Sequence, residues 1–317
     1  MTSQSGENVN VAAVEGNFDD AQTGVKAIFS DESLRRELDG MGFFLSSANS
    51  INWGRLAPQI VYYVSAYCDM LSAGMLKAGD KLNFCVPTGN FGNILAAYYA
   101  ERMGLPIGKL ICASNRNDVL TQFINTGVYD RNRQFFTTVS PSMDILVSSN
   151  LERLLFETSG KDGGAVSGYM SSLSADGCYE VPASVKNEIN RVFACGMCSE
   201  TDTLKTIEET FKRHRYLIDT HTAVAYKVLK DYRAASGDNT PAVVVSTASP
   251  YKFCDSVLEA LGQPTAGGGA GLIDKLAEAS GTMIPKPLST LKDKPPRFTG
   301  SVKTDNMKAA VLEFINR

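Results

Sequence analysis

The run best suited to chemistry is Leu82-Asn83-Phe84-Cys85-Val86-Pro87 followed by Thr88-Gly89-Asn90-Phe91-Gly92-Asn93 and then Ile94 to Arg102. It reads as a buried strand, a glycine-containing turn and the first turns of a helix. Glycines at 89 and 92 admit positive φ and a close approach to the backbone. The first amides of a helix lack intrahelical acceptors and carry the positive end of its dipole. A turn of this kind cradles a phosphate. The spacing is Gly-x-x-Gly, without the lysine or the magnesium-binding hydroxyl of a P-loop, so a nucleoside triphosphate is a poor fit. On glycine spacing alone, a tight strand-to-helix turn that needs its glycines only for packing explains the run equally well.

Further clusters invite the same question. Asn49-Ser50-Ile51-Asn52-Trp53-Gly54-Arg55 sets two carboxamides, a hydroxyl and a guanidinium ahead of a predicted helix. A guanidinium fork suits a phosphate dianion and the amides can orient it. In the alternative reading Asn49 or Ser50 only caps a helix and Arg55 is a surface charge. His221 stands in Asp219-Thr220-His221-Thr222, a predicted helix start, where a lone histidine is more often a cap or core residue than a catalyst. Cys195-Gly196-Met197-Cys198 has metal or redox spacing, but no second Cys-x-x-Cys accompanies it and the histidines are His214 and His221 alone. Ser159-Gly160-Lys161-Asp162-Gly163-Gly164 follows a helix-like run rather than a strand and reads as a solvent turn. No serine-nucleophile context, metal triad or paired-carboxylate spacing stands out.

With 317 residues, 44% hydrophobic and 21% charged, the chain is long enough for one large or two medium globular domains. A net charge of −3 and a pI near 5.6 argue against a dedicated nucleic-acid surface. No apolar run reaches the roughly 18 residues of a membrane helix, and the polar start, Met1 to Asn10, is unlike a signal peptide, so the expected location is the cytoplasm. Seven cysteines, an odd number with several in apolar runs, are expected as reduced thiols.

The elements that must position these groups follow in order. Residues 8–16 predict a strand and 19–29 a helix, then 43–46 a short strand and 56–76 a long helix with Pro58 in its first turn. The 82–102 unit comes third, and 109–114 supplies the next buried strand. Residues 114–180 look irregular, with a helix-like run at 150–157 and a Ser/Gly-rich stretch at 158–177. Residues 200–213 and 223–235 predict helices, and Ala242-Val243-Val244-Val245-Ser246 a central strand. Gly- and Pro-rich connectors then surround short helices at 273–279 and 306–315. There is no internal repeat. Strands alternating with helices predict an α/β fold with parallel, doubly wound sheets.

Pro87 to Asn93 resembles the cofactor-phosphate loop of threonine synthase, a lyase of threonine biosynthesis that uses pyridoxal 5′-phosphate on the type II fold. Gly16 to Gly24, Asn49 to Arg55, Asp219 to Ala225 and Ser246 to Phe253 resemble further motifs of that family and occur in its order, so the resemblance spans residues 1 to about 255. It implies two doubly wound sheets with the cofactor cleft between them, residues 1–75 forming part of a small domain and 76–317 a large one. It implies that Thr88, Gly89, Asn90, Phe91, Gly92 and Asn93 hold the cofactor phosphate, and that Ser246 and Thr247 meet the pyridine nitrogen. It also implies that Asn49, Ser50, Asn52 and Arg55 bind the substrate, O-phosphohomoserine, which the family converts with water to threonine and phosphate.

The departure from the family is an absence. The Schiff-base lysine of the family, in a Phe-Lys-Asp-like motif, and the loop that holds the substrate carboxylate have no counterpart in this sequence, and Lys252 is not that lysine. The expectation is therefore the C-terminal portion of an enzyme, inactive alone and partnered by a missing N-terminal segment. The alternatives are a non-catalytic module of the same fold that binds pyridoxal phosphate or a phospho-amino acid, and a related phospho-lyase.

Overall fold

The computed structural model describes residues 3–4, 6–16 and 18–316, with the side chains of 18, 19, 22, 23 and 292 left aside. Asn17 of the motif at 16–24, and Met1 and Thr2, lie outside the described residues. Eight strands occur among them: β1 Ala13–Glu15, β2 Leu82–Pro87, β3 Ile107–Ser114, β4 Val128–Asp130, β5 Cys178–Glu180, β6 Phe193–Met197, β7 Ala242–Val244 and β8 Ser301–Lys303. No helix among the described residues is long and apolar enough to cross a membrane.

The chain divides into two compact units, Met1–Ser47 with Pro285–Arg317, and Ala48–Ile284. In the first, β1 and β8 pair in parallel, Ala13 opposite Ser301. Helix Glu32–Gly40 is capped by Asp31, whose Oδ1 accepts from Leu34 N at 2.9 Å. Its Leu34 and Leu38, one turn apart, bury with Ile28 and Met307. Lys308 Nζ reaches Asp31 Oδ2 at 2.6 Å, and this pairing, with the Leu34 amide bond, lowers the Asp31 carboxyl from its ordinary value.

The second unit is built on a four-stranded sheet ordered β6-β3-β2-β7, parallel throughout. A strand buried on both faces favours apolar residues, and Asn83, the polar exception in β2, accepts from Lys109 N at 2.6 Å and donates to Asp238 Oδ2 at 2.8 Å. All six residues of β2 are buried. Their alternation divides two cores. Leu82, Phe84 and Val86 join Leu110, Cys112 and helix Gly92–Arg102 on one face. Cys85, Ile111 and Ala113 meet Val224, Ala225, Val228 and Leu229 of helix Thr220–Ser236 on the other. This is the parallel α/β class expected.

Several local expectations are corrected. Residues 43–46 form no strand, and Phe44 is 82% exposed with no neighbouring strand to bury it. The helix expected at 56–76 breaks into Trp53–Leu56, a 3-10 turn Ala57–Gln59 and Ile60–Ser72, because Pro58 lacks the amide that a continuous helix would use. The stretch at 158–177 contains helix Gly163–Ala175, capped by Asp162, whose Oδ1 accepts from Ala165 N at 2.9 Å. The Val-rich run pairs only over 242–244 and forms the edge of the sheet among the described residues. The contacts also divide the chain elsewhere than at 75/76. Leu56, Tyr63, Tyr67 and Leu76 bury in the same core as helix Gly92–Arg102, so residues 48–75 fold with the large sheet.

Leu95 is fully buried in that core. Leu95→Ala should cost about 2–5 kcal/mol in the unfolding of the larger unit, read as a lower denaturant midpoint at unchanged slope.

Candidate functional site

The turn after β2 begins as a continuation of the sheet, with Thr88 N donating to Ala113 O at 2.8 Å and Thr88 Oγ1 to Val86 O at 2.7 Å. It then leaves the sheet edge through Gly89 and the exposed Asn90. Positive φ, expected at the glycines, falls instead on Phe91, at +63°, which caps helix Gly92–Arg102. Gly89 and Gly92 serve close approach. A Cβ at 89 would stand 3.0 Å from Ser142 O, and one at 92 would stand 2.4 Å from Ser50 Oγ and 2.6 Å from Ser50 Cβ. Leu95 N, bonded to Phe91 O at 3.0 Å, is the first helix amide with a helical carbonyl partner, so the amides ahead of it remain at the turn. Tyr63 OH fixes Asn93 through its Oδ1 at 2.5 Å and its carbonyl at 2.9 Å. Burial pushes the Tyr63 phenol far above its ordinary value, so it stays a donor.

The 49–55 loop packs directly on this turn. Asn49 Oδ1 accepts from Ile51 N at 3.1 Å and Asn52 Oδ1 from Gly54 N at 2.9 Å, so both carboxamides shape the local backbone. Arg55 is exposed, and its carbonyl accepts from Gln59 Nε2 at 3.1 Å. Ser50 is half-buried against Gly92. The structure therefore brings Ser50 to the 88–93 turn, with Asn49, Asn52 and Arg55 on the same loop as Ser50.

Ser246 and Thr247 are exposed and follow β7, where Val245 N donates to Cys85 O at 2.9 Å. Because β2 and β7 are parallel neighbours, 246–247 and 88–93 leave the same C-terminal edge of the sheet. Thr222 Oγ1 donates to Ser246 Oγ at 3.2 Å, and Thr222 is itself hydrogen-bonded to buried Asp219. Asp219 also caps helix Thr220–Ser236 by accepting from His221 N at 2.9 Å. Burial alone would raise the Asp219 carboxyl, but the bonds from His221 and Thr222 outweigh it and hold the carboxyl below its ordinary value.

His221 takes the structural role. It is 2% exposed, its Nε2 accepts from Ser142 N at 3.3 Å, and Nδ1 lies 3.2 Å from Asp219 Oδ1, which assigns the proton to Nδ1. Phe253 packs on the ring with centroids 4.8 Å apart. Lys252 is exposed. Cys198 is buried at 1% and bonds Thr203 Oγ1 at 3.3 Å, and all seven cysteines are free.

Sequence reasoning missed the segment that holds the turn from behind. Half-buried Asp144 accepts from Asn115 Nδ2 at 2.8 Å, Asn117 Nδ2 at 3.0 Å, Thr138 N at 2.9 Å and Thr138 Oγ1 at 2.7 Å. The residues beyond it then reach the turn: Ser148 Oγ donates to Gly89 O at 2.9 Å and Asn150 Nδ2 to Asn90 O at 2.9 Å. The signal available was Ser148-Ser149-Asn150 ahead of an apolar helical run, which reads as an ordinary helix start.

Residues 222–315 match the family described as "Threonine synthase, C-terminal". The chain is 45% identical over 257 residues to human Threonine synthase-like 1, covering 80% of this chain and 34% of that protein. It is 40% identical over 268 residues to threonine synthase of Pseudomonas aeruginosa, covering 84% and 54%. Among solved structures, threonine synthase from Brucella melitensis with bound PLP superposes with a TM-score of 0.83 at 36% identity, over all of this chain and 62% of that one. Threonine synthase from yeast gives 0.82 at 32%, over all of this chain and 61% of that one. The chain thus spans about a third to a half of the length of these curated relatives. It shares sequence and the type II fold with threonine synthases.

Two outcomes test this geometry. Gly92→Ala should destabilise the folded chain, and Ser50→Gly, which removes the atoms in its way, should restore part of the loss, giving a coupling of about 0.5–3 kcal/mol in a double-mutant cycle read by denaturation. Asp219→Asn keeps a side-chain oxygen at the cap but makes the bonds from His221 and Thr222 neutral, and should cost about 1 kcal/mol or more at pH 7. A lowered folded-state pKa stabilises above the unfolded value of about 3.9 and is lost as pH falls through the folded one. The gap between wild type and Asp219→Asn should therefore be full at neutral pH and close below about pH 4.

Proposed function

We propose that this chain forms the phosphate-binding and ring-binding part of a threonine synthase, which converts O-phosphohomoserine and water to threonine and phosphate with pyridoxal 5′-phosphate. The observation that carries the reading is the amide-lined turn at 88–93, which opens an eleven-residue helix on the same sheet edge as the hydroxyls at 246–247. Ligands of open parallel sheets bind beyond the carboxyl ends of the strands.

The donor chemistry fits the cofactor. Main-chain amides at a helix start favour a dianion, and Gly89, Asn90, Phe91, Gly92 and Asn93 would hold its phosphate, with Thr88, whose N–H and hydroxyl are bonded to Ala113 O and Val86 O, tying the turn to the sheet. Ser246, steadied by Thr222 and through it by Asp219, and Thr247 would meet the pyridine nitrogen as neutral hydroxyls, which protonate it less firmly than a carboxylate. When bound, pyridoxal phosphate supplies an electron sink for carbanions of the substrate. Arg55, with Asn49, Ser50 and Asn52, would hold the substrate phosphate from the adjoining loop. No lysine here stands in the motif the family uses for covalent attachment, so we assign that amine to a segment outside these residues, and catalysis to the assembled enzyme.

A second reading, a related phospho-lyase or a binding module, is favoured by one observation: identity to Threonine synthase-like 1, at 45%, exceeds the 40% to the Pseudomonas aeruginosa threonine synthase. Preference for a phosphorylated amino acid other than O-phosphohomoserine would support it.

The chain should bind pyridoxal phosphate reversibly, in competition with inorganic phosphate, and borohydride should trap no stoichiometric adduct. A reduced adduct mapped to one lysine here would overturn the assignment of the amine. Arg55→Ala should leave pyridoxal phosphate affinity unchanged and weaken O-phosphohomoserine binding about tenfold, the loss of roughly one charge-assisted hydrogen bond. Loss of the cofactor with substrate affinity retained would exchange the two loops.

A further inference from the structure

Asn150 occupies the N-cap position of helix Leu151–Thr158, yet its side chain makes no capping bond. Asparagine is among the preferred caps, so its diversion needs a reason. The carboxamide is completely buried and its Nδ2 donates to Ser50 Oγ at 2.9 Å and to Asn90 O at 2.9 Å. An amide nitrogen has two hydrogens, and here each serves a different loop. The carboxamide oxygen accepts from Arg153 Nη1. Arg153 in turn donates from Nη1 to Ser50 O at 3.1 Å and from Nη2 to Ile51 O at 2.6 Å. The guanidinium thus clamps two successive carbonyls of the 49–55 loop. Its partners are neutral, and it forms no salt bridge among the described residues, so its positive charge remains at the junction of the two loops.

We propose that Asn150 and Arg153 are positioning residues that lock the 49–55 loop to the 88–93 turn, so that occupancy of one anion-binding loop sets the affinity of the other. The identity of the two anions, cofactor and substrate phosphate, rests on the function proposed above; the mechanical lock does not. Each amide hydrogen of Asn150 that is lost frees one loop from the other, because among the described residues no direct hydrogen bond joins Ser50 to Gly92.

Hydrogen exchange on the ligand-free chain reads the lock directly. N150D keeps the acceptor for Arg153 and removes both donors, so exchange should rise about tenfold in 49–55 and in 89–94 together, over and above any rise in the central-sheet amides that report global unfolding. R153K keeps the charge but not the fork, and should raise exchange in 49–55 more than in 89–94. A rise confined to one loop in N150D, or none, overturns the proposal; if N150D does not fold, unchanged exchange in both loops of R153K overturns it. With ligands, pyridoxal phosphate affinity measured with and without O-phosphohomoserine should differ by a factor within about 5–150 in wild type and by little in N150D. A wild-type chain that binds neither ligand defeats the functional reading while the exchange result still decides the lock. A coupling factor retained in folded N150D defeats the lock alone.

Discussion

The candidate site depends on one backbone conformation, the left-handed turn at Phe91. For a residue with a β-carbon it costs about 1–2 kcal/mol. Burial of the phenyl ring, 1% exposed, contributes about 1.5–3 kcal/mol in the other direction, and its tilted contact with Phe193, centroids 5.6 Å apart, adds to it. The strained residue is thus one whose side chain is anchored in the core. Because the chain turns there, helix Gly92–Arg102 starts at the sheet edge, and its first amides, which lack intrahelical partners, lie there too. Glycine at 91 would relieve the strain but lose the anchor.

Around that turn the backbone is irregular, and buried polar groups do the work that ladders do elsewhere. A carboxylate away from water is costly unless its lone pairs are filled. Asp144 fills its own from Asn115, Asn117 and Thr138, which ties the segment after β3 to the segment that touches Gly89. Asp219 does so with His221 and Thr222, and His221 reaches Ser142 in that same segment. The loops at 88–93 and 246–247 are therefore set before any ligand arrives, which is what an anion site needs if binding is not to be spent on ordering it.

The parts legible in the sequence were those where one local rule governs. The largely apolar run of β2, the helix after Asn93 and the helix start at Asp219 all follow from residue type and spacing. What was not legible depended on distant partners. Nothing local says that Gly92 is small because Ser50 sits on it, or that Phe91 rather than a glycine takes positive φ. Phe43 and Phe44 read as a strand because they are aromatic, but no partner strand covers them. Asn150 read only as the start of a helix-like run, and its donors go to residues 60 and 100 positions away. The composition of 158–177 suggested a loop, yet one aspartate at 162 was enough to start a helix of small residues.

Contact between the two loops also sets an electrostatic condition. If each loop held a phosphate dianion, the two would repel even at the dielectric constant of water, and by more where water is excluded. Neutral amides alone do not offset that; the helix dipole supplies only about half a charge. A full positive charge at the junction does, provided it is not neutralised by a neighbouring carboxylate. Arg153, bonded to carbonyls of Ser50 and Ile51, meets that condition, and a lysine at 153 would match its charge but not its two-pronged reach. The same side chain thereby fixes where the second loop stands, and under the function proposed above it would also set a positive charge beside the second anion.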